Sequence, residues 1–174
     1  MNPREKAQGV KLAVFDVDGV MTDGRLYYTS KGDEIKAFNV KDGLGIKLLS
    51  QYGIKTAIIT GRNSELVNRR AKELGFDYLY QGRDDKLTAL KELLHDINLS
   101  LQDVAYIGDD LPDLPAIRHC LFGATVKDAM PLVLEHADWV SSHKGGEGAV
   151  REFCEYILDA QGHLQEYHQQ VLQK

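Results

Sequence analysis

Cysteine is scarce in this chain of 174 residues: Cys120 and Cys154 stand alone, far apart and without CxxC spacing. That argues against a disulfide framework or a thiolate metal cluster, and both thiols read as buried packing residues. The six histidines include no HxxxH pair, which removes the usual basis for a zinc site, and they read as surface or packing residues. Long hydrophobic runs are missing as well, and Met1 to Lys11 is polar with no apolar core of signal-peptide length. A cytoplasmic protein with no membrane association is expected. Nor is there a cluster of positive charge. The lysines and arginines are interspersed with acids, the formal net charge is −5, and nothing offers nucleic acid a general electrostatic footing.

What is present is a pattern of acidic clusters directly after apolar strands. Leu12-Ala13-Val14-Phe15 runs into Asp16-Val17-Asp18-Gly19, and residues two apart on an extended segment point the same way. Asp16 and Asp18 can therefore face one pocket at the strand's carboxyl end, where open α/β sheets bind ligands. A lone DxD is weak evidence, since acidic pairs also cap helices and close turns. A second cluster, Gly108-Asp109-Asp110-Leu111-Pro112-Asp113, follows the apolar strand Val104-Ala105-Tyr106-Ile107. Between them Ile58-Ile59 leads into Thr60-Gly61-Arg62, and Lys86 opens a helical segment. Carboxylates, a hydroxyl and an ammonium thus gather at successive element ends.

A chain of this length is about one domain and buries roughly 70% of the surface its unfolded form exposes. Strands at Thr56 to Thr60, Tyr78 to Gln81, Val104 to Ile107, Leu121 to Ala124 and Trp139 to Val140 alternate with helices over residues 42–52, from Asn63 or Ser64 to Glu73, Asp85–Ile97, Pro112–His119 and Pro131–Glu135. The alternation predicts an α/β fold with a doubly wound parallel sheet. One segment departs from it. Arg25 to Thr29 and Glu34 to Asn39 flank a Gly-containing turn and read as a β-hairpin, a small flap at about 24–40. The step from Thr60 to Lys86 has room for one helix and one strand only, so no cap domain is expected. Tyr27, Tyr28, Ile35 and Phe38 should pack on something, either their own domain or, as we favour, the hairpins of other subunits. A C-terminal helical tail is expected at about 148–174, with Leu164, Tyr167, Val171 and Leu172 as an apolar stripe.

Asp16-Val17-Asp18-Gly19-Val20, Thr60-Gly61-Arg62, Lys86 and Gly108-Asp109-Asp110-Leu111-Pro112-Asp113 resemble, in order and on the expected elements, the four motifs of the haloacid dehalogenase superfamily of aspartate-nucleophile phosphatases. They span nearly the whole chain. Within that superfamily the hairpin, Lys36-Ala37-Phe38-Asn39-Val40-Lys41-Asp42-Gly43, Tyr80-Gln81-Gly82 and Gly145-Gly146-Glu147-Gly148-Ala149-Val150-Arg151-Glu152 resemble the 3-deoxy-D-manno-octulosonate 8-phosphate phosphatase family of lipopolysaccharide precursor synthesis. The resemblance implies a Mg²⁺-dependent homotetramer with centrally assembled hairpins. It implies Asp16 as nucleophile and metal ligand, and Asp18 as acid and base that also offers its main-chain carbonyl to the metal. Gly145 to Gly148 should be mobile without a partner, and the resemblance implies that it helps close a neighbouring subunit's pocket.

The residue chemistry is consistent with that expectation. Phosphate monoesters hydrolyse so slowly that enzymes accelerate them by up to about 10²¹-fold, which requires charge neutralisation, a positioned nucleophile and a proton for the leaving group. Mg²⁺ prefers hard oxygen ligands, as Asp16 and Asp109 offer. Thr60 and Lys86 suit the phosphoryl oxygens. Asp110 and Asp113 are expected to orient Lys86 and metal-bound water, although capping of the turn around Pro112 serves equally for Asp113. On the substrate side stand Gly61, Lys86 and Arg62, whose fork suits the carboxylate of an eight-carbon ulosonic acid; Glu147, by resemblance, suits the nine-carbon group. A phospho-acceptor signalling domain would carry adjacent acids on its first strand, whereas this chain has DxD there and GDD later. A noncatalytic tetramerising module is the remaining alternative, and the complete motif set argues against it.

Overall fold

A six-stranded, fully parallel sheet forms the centre of the computed structural model, which describes residues 1–174. Its strands are β1 (Leu12–Phe15), β4 (Lys55–Ile59), β5 (Tyr78–Tyr80), β6 (Val104–Gly108), β7 (Phe122–Thr125) and β8 (Trp139–Val140), in the order β5-β4-β1-β6-β7-β8. β2 (Tyr27–Tyr28) and β3 (Glu34–Ile35) form a separate antiparallel hairpin. β1 and β6 are buried at every residue, as strands covered on both faces must be, which is why they read as unbroken apolar runs.

The chain leaves β1 through α2 (Val40–Gln51) to β4 and through α3 (Glu65–Leu74) to β5. It then returns by α4 (Lys86–Ile97) to β6, and continues outward by α5 (Leu114–His119) and α6 (Pro131–His136). Right-handed crossovers in opposite directions put the two helix sets on opposite faces and make the β1/β6 boundary the switch point where a crevice opens. Phe15 pairs with Ile58 on one side and Ile107 on the other, so Asp16, Thr60 and Asp109 emerge at nearly one level.

Three parts differ from expectation. α1 (Pro3–Gln8) was not anticipated in the polar N-terminal segment; Asn2 and Glu5 form a capping box, Pro3 pre-sets the first turn, and Ala7 is buried beneath it. The expected tail at 148–174 divides in two. α7 (Ala149–Ala160) is core, with Phe153, Cys154, Ile157 and Leu158 buried, and it packs extensively on α2. Phe153 meets Phe15 edge-to-face at 5.6 Å and stacks on Phe122 at 6.0 Å. Removing a buried aromatic of this kind costs about 3–5 kcal/mol. Only α8 (His163–Leu172) is peripheral, with Leu164 buried and Val171 and Leu172 exposed.

The hairpin is shorter than expected, two residues per strand, and Leu26, Tyr27, Tyr28 and Ile35 are exposed. Phe38 packs on its own chain against the core, beneath the Arg70 guanidinium. Both cysteines are free and buried. No helix is long and apolar enough to cross a membrane.

Candidate active site

The crevice at the switch point holds a cavity of about 350 Å³ with no hydrophobic residue in its lining. Asp16, Asp18, Thr60, Gly61, Arg62, Lys86, Asp109, Asp110 and Asp113 all border it, whereas Glu147 is not part of its lining. Asp16 continues the ladder beyond β1 through its N–H to Ile107 O (3.0 Å), which fixes its side chain over the crevice. Lys86 is delivered by the first turn of α4, whose N-cap Asp85 accepts from Thr88 N. Its ammonium donates to Asp16 Oδ1 and to Asp113 Oδ1, both at 2.7 Å.

Asp113 is engaged at both oxygens. Oδ1 accepts from Lys86 and from the Tyr106 hydroxyl (2.8 Å), while Oδ2 accepts from the N–H groups of Asp109 (3.0 Å) and Asp110 (3.2 Å). Orientation of Lys86 and capping of the turn are therefore both present in one side chain. Asp110 does not reach Lys86. Its Oδ1 accepts from Leu111 N at 2.7 Å, because a carboxylate at the start of a short 3₁₀ turn is satisfied locally.

Electrostatically the centre is short of positive charge. Carboxylate oxygens of Asp16, Asp109 and Asp113 lie within 4.8 Å of one another, and Lys86 is the one ammonium among them. Burial, and next the charge of Asp113, push the Asp16 carboxyl well above its ordinary range despite Lys86. Burial and Asp113 push Asp109 up to about 6. Burial alone would lower the Lys86 pKa, and Asp16 and Asp113 more than reverse this, so the ammonium stays charged. Three clustered acids against one base form a donor set that fits a divalent cation. With Asp113 saturated by its four donors, Asp16 and Asp109 are the carboxylates left to hold it.

Gly19 makes this approach feasible. With φ at +88°, a Cβ built there would stand 2.0 Å from Asp109 Oδ2, so no side chain fits between the two acidic loops. The loop at Gly145 to Gly148, expected to be mobile, is pinned on the same chain: Gly146 N donates to Val20 O (3.0 Å), and a Cβ on Gly145 would lie 1.8 Å from Gly19 O. Arg151 is half-buried, pairing with Glu155 at 2.6 Å and donating from Nη1 to Lys41 O at 3.2 Å.

Sequence reasoning missed several members of the site. Tyr106 was read only as part of an apolar strand, although a tyrosine in a buried strand signals a hydroxyl that must find a partner. Lys36 donates to Asp18 Oδ1 at 2.7 Å and is nearly inaccessible. Glu34 holds bidentately, at 2.8 and 3.3 Å, the Arg62 guanidinium whose fork suits a substrate carboxylate.

Comparison with known proteins agrees with this geometry. A family profile described as haloacid dehalogenase-like hydrolase matches residues 79–153. The 3-deoxy-D-manno-octulosonate 8-phosphate phosphatase KdsC of Escherichia coli (strain K12) is 46% identical over 161 residues, 92% of this chain and 86% of its own. This chain belongs to that phosphatase family of haloacid dehalogenase-like hydrolases. A member from Moraxella catarrhalis, solved with magnesium ion, phosphate ion and the sugar acid, superposes with a TM-score of 0.95 at 48% identity, covering 97% of each chain. A probable YrbI family phosphatase from Pseudomonas syringae pv. phaseolica 1448a superposes at 0.96 with 54% identity, over 98% of this chain and 97% of that one. Like these phosphatases, the chain has a doubly wound α/β core, and no cap domain covers its crevice.

Proposed function

We propose that this chain hydrolyses 3-deoxy-D-manno-octulosonate 8-phosphate to the free sugar acid and inorganic phosphate through an aspartyl-phosphate on Asp16. The observation that carries the reading is the Asp16–Lys86–Asp113 triad beside Asp109, in a crevice lined by charged side chains in a chain belonging to this phosphatase family.

Mg²⁺ suits the donor set, with Asp16, Asp109 and the main-chain carbonyl of Asp18 as the groups that would hold it. When bound, it supplies the positive charge that lets an anionic carboxylate meet an anionic phosphate ester. Asp16 attacks phosphorus while the bond to the sugar oxygen breaks, and Asp18 gives its proton to the departing alkoxide. Thr60 and Lys86 hold the phosphoryl oxygens as charge builds on them. Asp18, now a carboxylate, takes a proton from the water that attacks phosphorus and restores Asp16. Asp113 and Tyr106 act through Lys86, fixing where its charge sits. Arg62 and Gly61 face the sugar, with the Arg62 fork suited to the substrate carboxylate.

The exposed Leu26, Tyr27, Tyr28 and Ile35 support assembly of hairpins between subunits, and a cytoplasmic homotetramer belongs to this proposal. Light scattering at micromolar concentration checks it, with a strict monomer as the contrary result. The function itself is tested by a phosphate-release screen with Mg²⁺ across octulosonate 8-phosphate, nine-carbon ulosonate 9-phosphates and hexose phosphates. Octulosonate 8-phosphate should give the highest kcat/KM. A faster nine-carbon ester would replace the sugar in this reading, and no release from any ester would overturn it.

A further inference from the structure

The hairpin carries a carboxylate into the place where a substrate carboxylate is expected. Glu34 Oε1 accepts from Arg62 Nη1 at 2.8 Å, Oε2 accepts from Nη2 at 3.3 Å, and Lys36 Nζ lies 3.2 Å from Oε1. Lys36 also grips Asp18, so an alternating chain Asp18–Lys36–Glu34–Arg62 ties the flap to the loops after β1 and β4. This fork-to-carboxylate geometry is the one an ulosonic acid would adopt on the same guanidinium. Burial would raise the Glu34 pKa, but the hydrogen bonds from Arg62 and Lys36 overturn that and hold it below its ordinary value.

We propose that Glu34 is a specificity-determining residue, an internal competitor that occupies Arg62 in the free enzyme and yields it to the carboxylate of an acidic sugar phosphate. The inference rests on the reading of Arg62 as the carboxylate-binding residue. Two features support the exchange. Arg62 is 42% exposed on its side chain, so an incoming anion reaches it. A displaced Glu34 keeps Lys36 as a partner, so no charge is stranded. Phosphate esters without a carboxylate have nothing to exchange and leave the flap latched, while the cognate ester frees it.

The test compares Glu34→Gln and Arg62→Ala by steady-state kinetics with octulosonate 8-phosphate and with p-nitrophenyl phosphate, and by inhibition with the free sugar acid. An exposed ion pair is worth little, so removing the competitor should lower KM for the acidic ester, and the inhibition constant of the free acid, by about two- to five-fold. KM for p-nitrophenyl phosphate, which has no carboxylate to gain Arg62, should fall less than KM for the acidic ester, and the ratio of the two effects is the readout. Arg62→Ala should raise KM for the acidic ester selectively. If that selectivity holds while Glu34→Gln leaves both constants unchanged or raises them, the competitor role is refuted and the carboxylate reading stands. If Arg62→Ala affects both esters equally, the carboxylate reading fails and takes the competitor role with it.

Discussion

Tyr106→Phe is a single-atom probe of how the site is held. Tyr106 and Asp113 are both buried, and the hydroxyl donates to Asp113 Oδ1 at 2.8 Å. Burial and the neighbouring acids raise the tyrosine pKa well above its ordinary value, so the group remains a donor at any working pH. A buried hydrogen bond to a charged acceptor is worth about 1.5–3 kcal/mol, and deleting the donor leaves a carboxylate lone pair without a partner. For a chain of this size that is a fall in Tm of roughly 3–12 °C. The ring does not line the cavity, so KM should hold while kcat falls by about three- to ten-fold as Lys86 loses one constraint on its position. Urea unfolding and phosphate release with Mg²⁺ read the two effects. The double variant with Asp113→Asn adds the decisive comparison: a hydroxyl that acts through Asp113 matters much less once that carboxylate is gone. Stability within about 0.5 kcal/mol of wild type, or strictly additive losses, would refute the reasoning.

Other consequences follow from particular residues. Asp18→Asn should cost about 10²-fold or more in kcat on a sugar phosphate, because it removes both the proton for the alkoxide and the base for the second step; an unchanged rate would remove that role. Asp42 is buried with Oδ2 unpartnered and Oδ1 accepting from Arg151 N at 2.9 Å. Burial, only partly offset by that N–H and by Arg70, Arg151 and His143, pushes its pKa up from 3.8 to about 6. In that window the folded chain holds a proton the unfolded chain has released, so this group's contribution to stability falls as pH rises from about 4 to about 6. Asp42→Asn should therefore gain on wild type across that interval in thermal unfolding, and a gap independent of pH would contradict the assignment.

The parts of the molecule that sequence made legible are those governed by local pattern. β1 and β6 announce themselves as apolar runs ending in acids, and the order of the acidic, hydroxyl and lysine motifs places them at the strand ends where Asp16, Thr60 and Asp109 indeed emerge. Residues whose roles depend on distant partners were not legible. Tyr106 finds Asp113 and Lys36 finds Asp18 only because the sheet register and the hairpin bring them together, and no periodicity encodes either contact. α7 looked like a tail because its partner, α2, lies more than a hundred residues earlier in the chain. Asp110 is a different case: its motif suggested a role toward Lys86 and metal-bound water, and its Oδ1 is taken by the local N–H of Leu111.

Borohydride reduction during steady-state turnover, followed by tandem mass spectrometry, asks the central question most directly, since an aspartyl-phosphate is reduced to homoserine. Conversion confined to Asp16, dependent on both Mg²⁺ and substrate and absent in Asp16→Asn, is the predicted result. An unmodified Asp16 during active phosphate release, or label on Asp18 or Asp109 instead, would contradict the account.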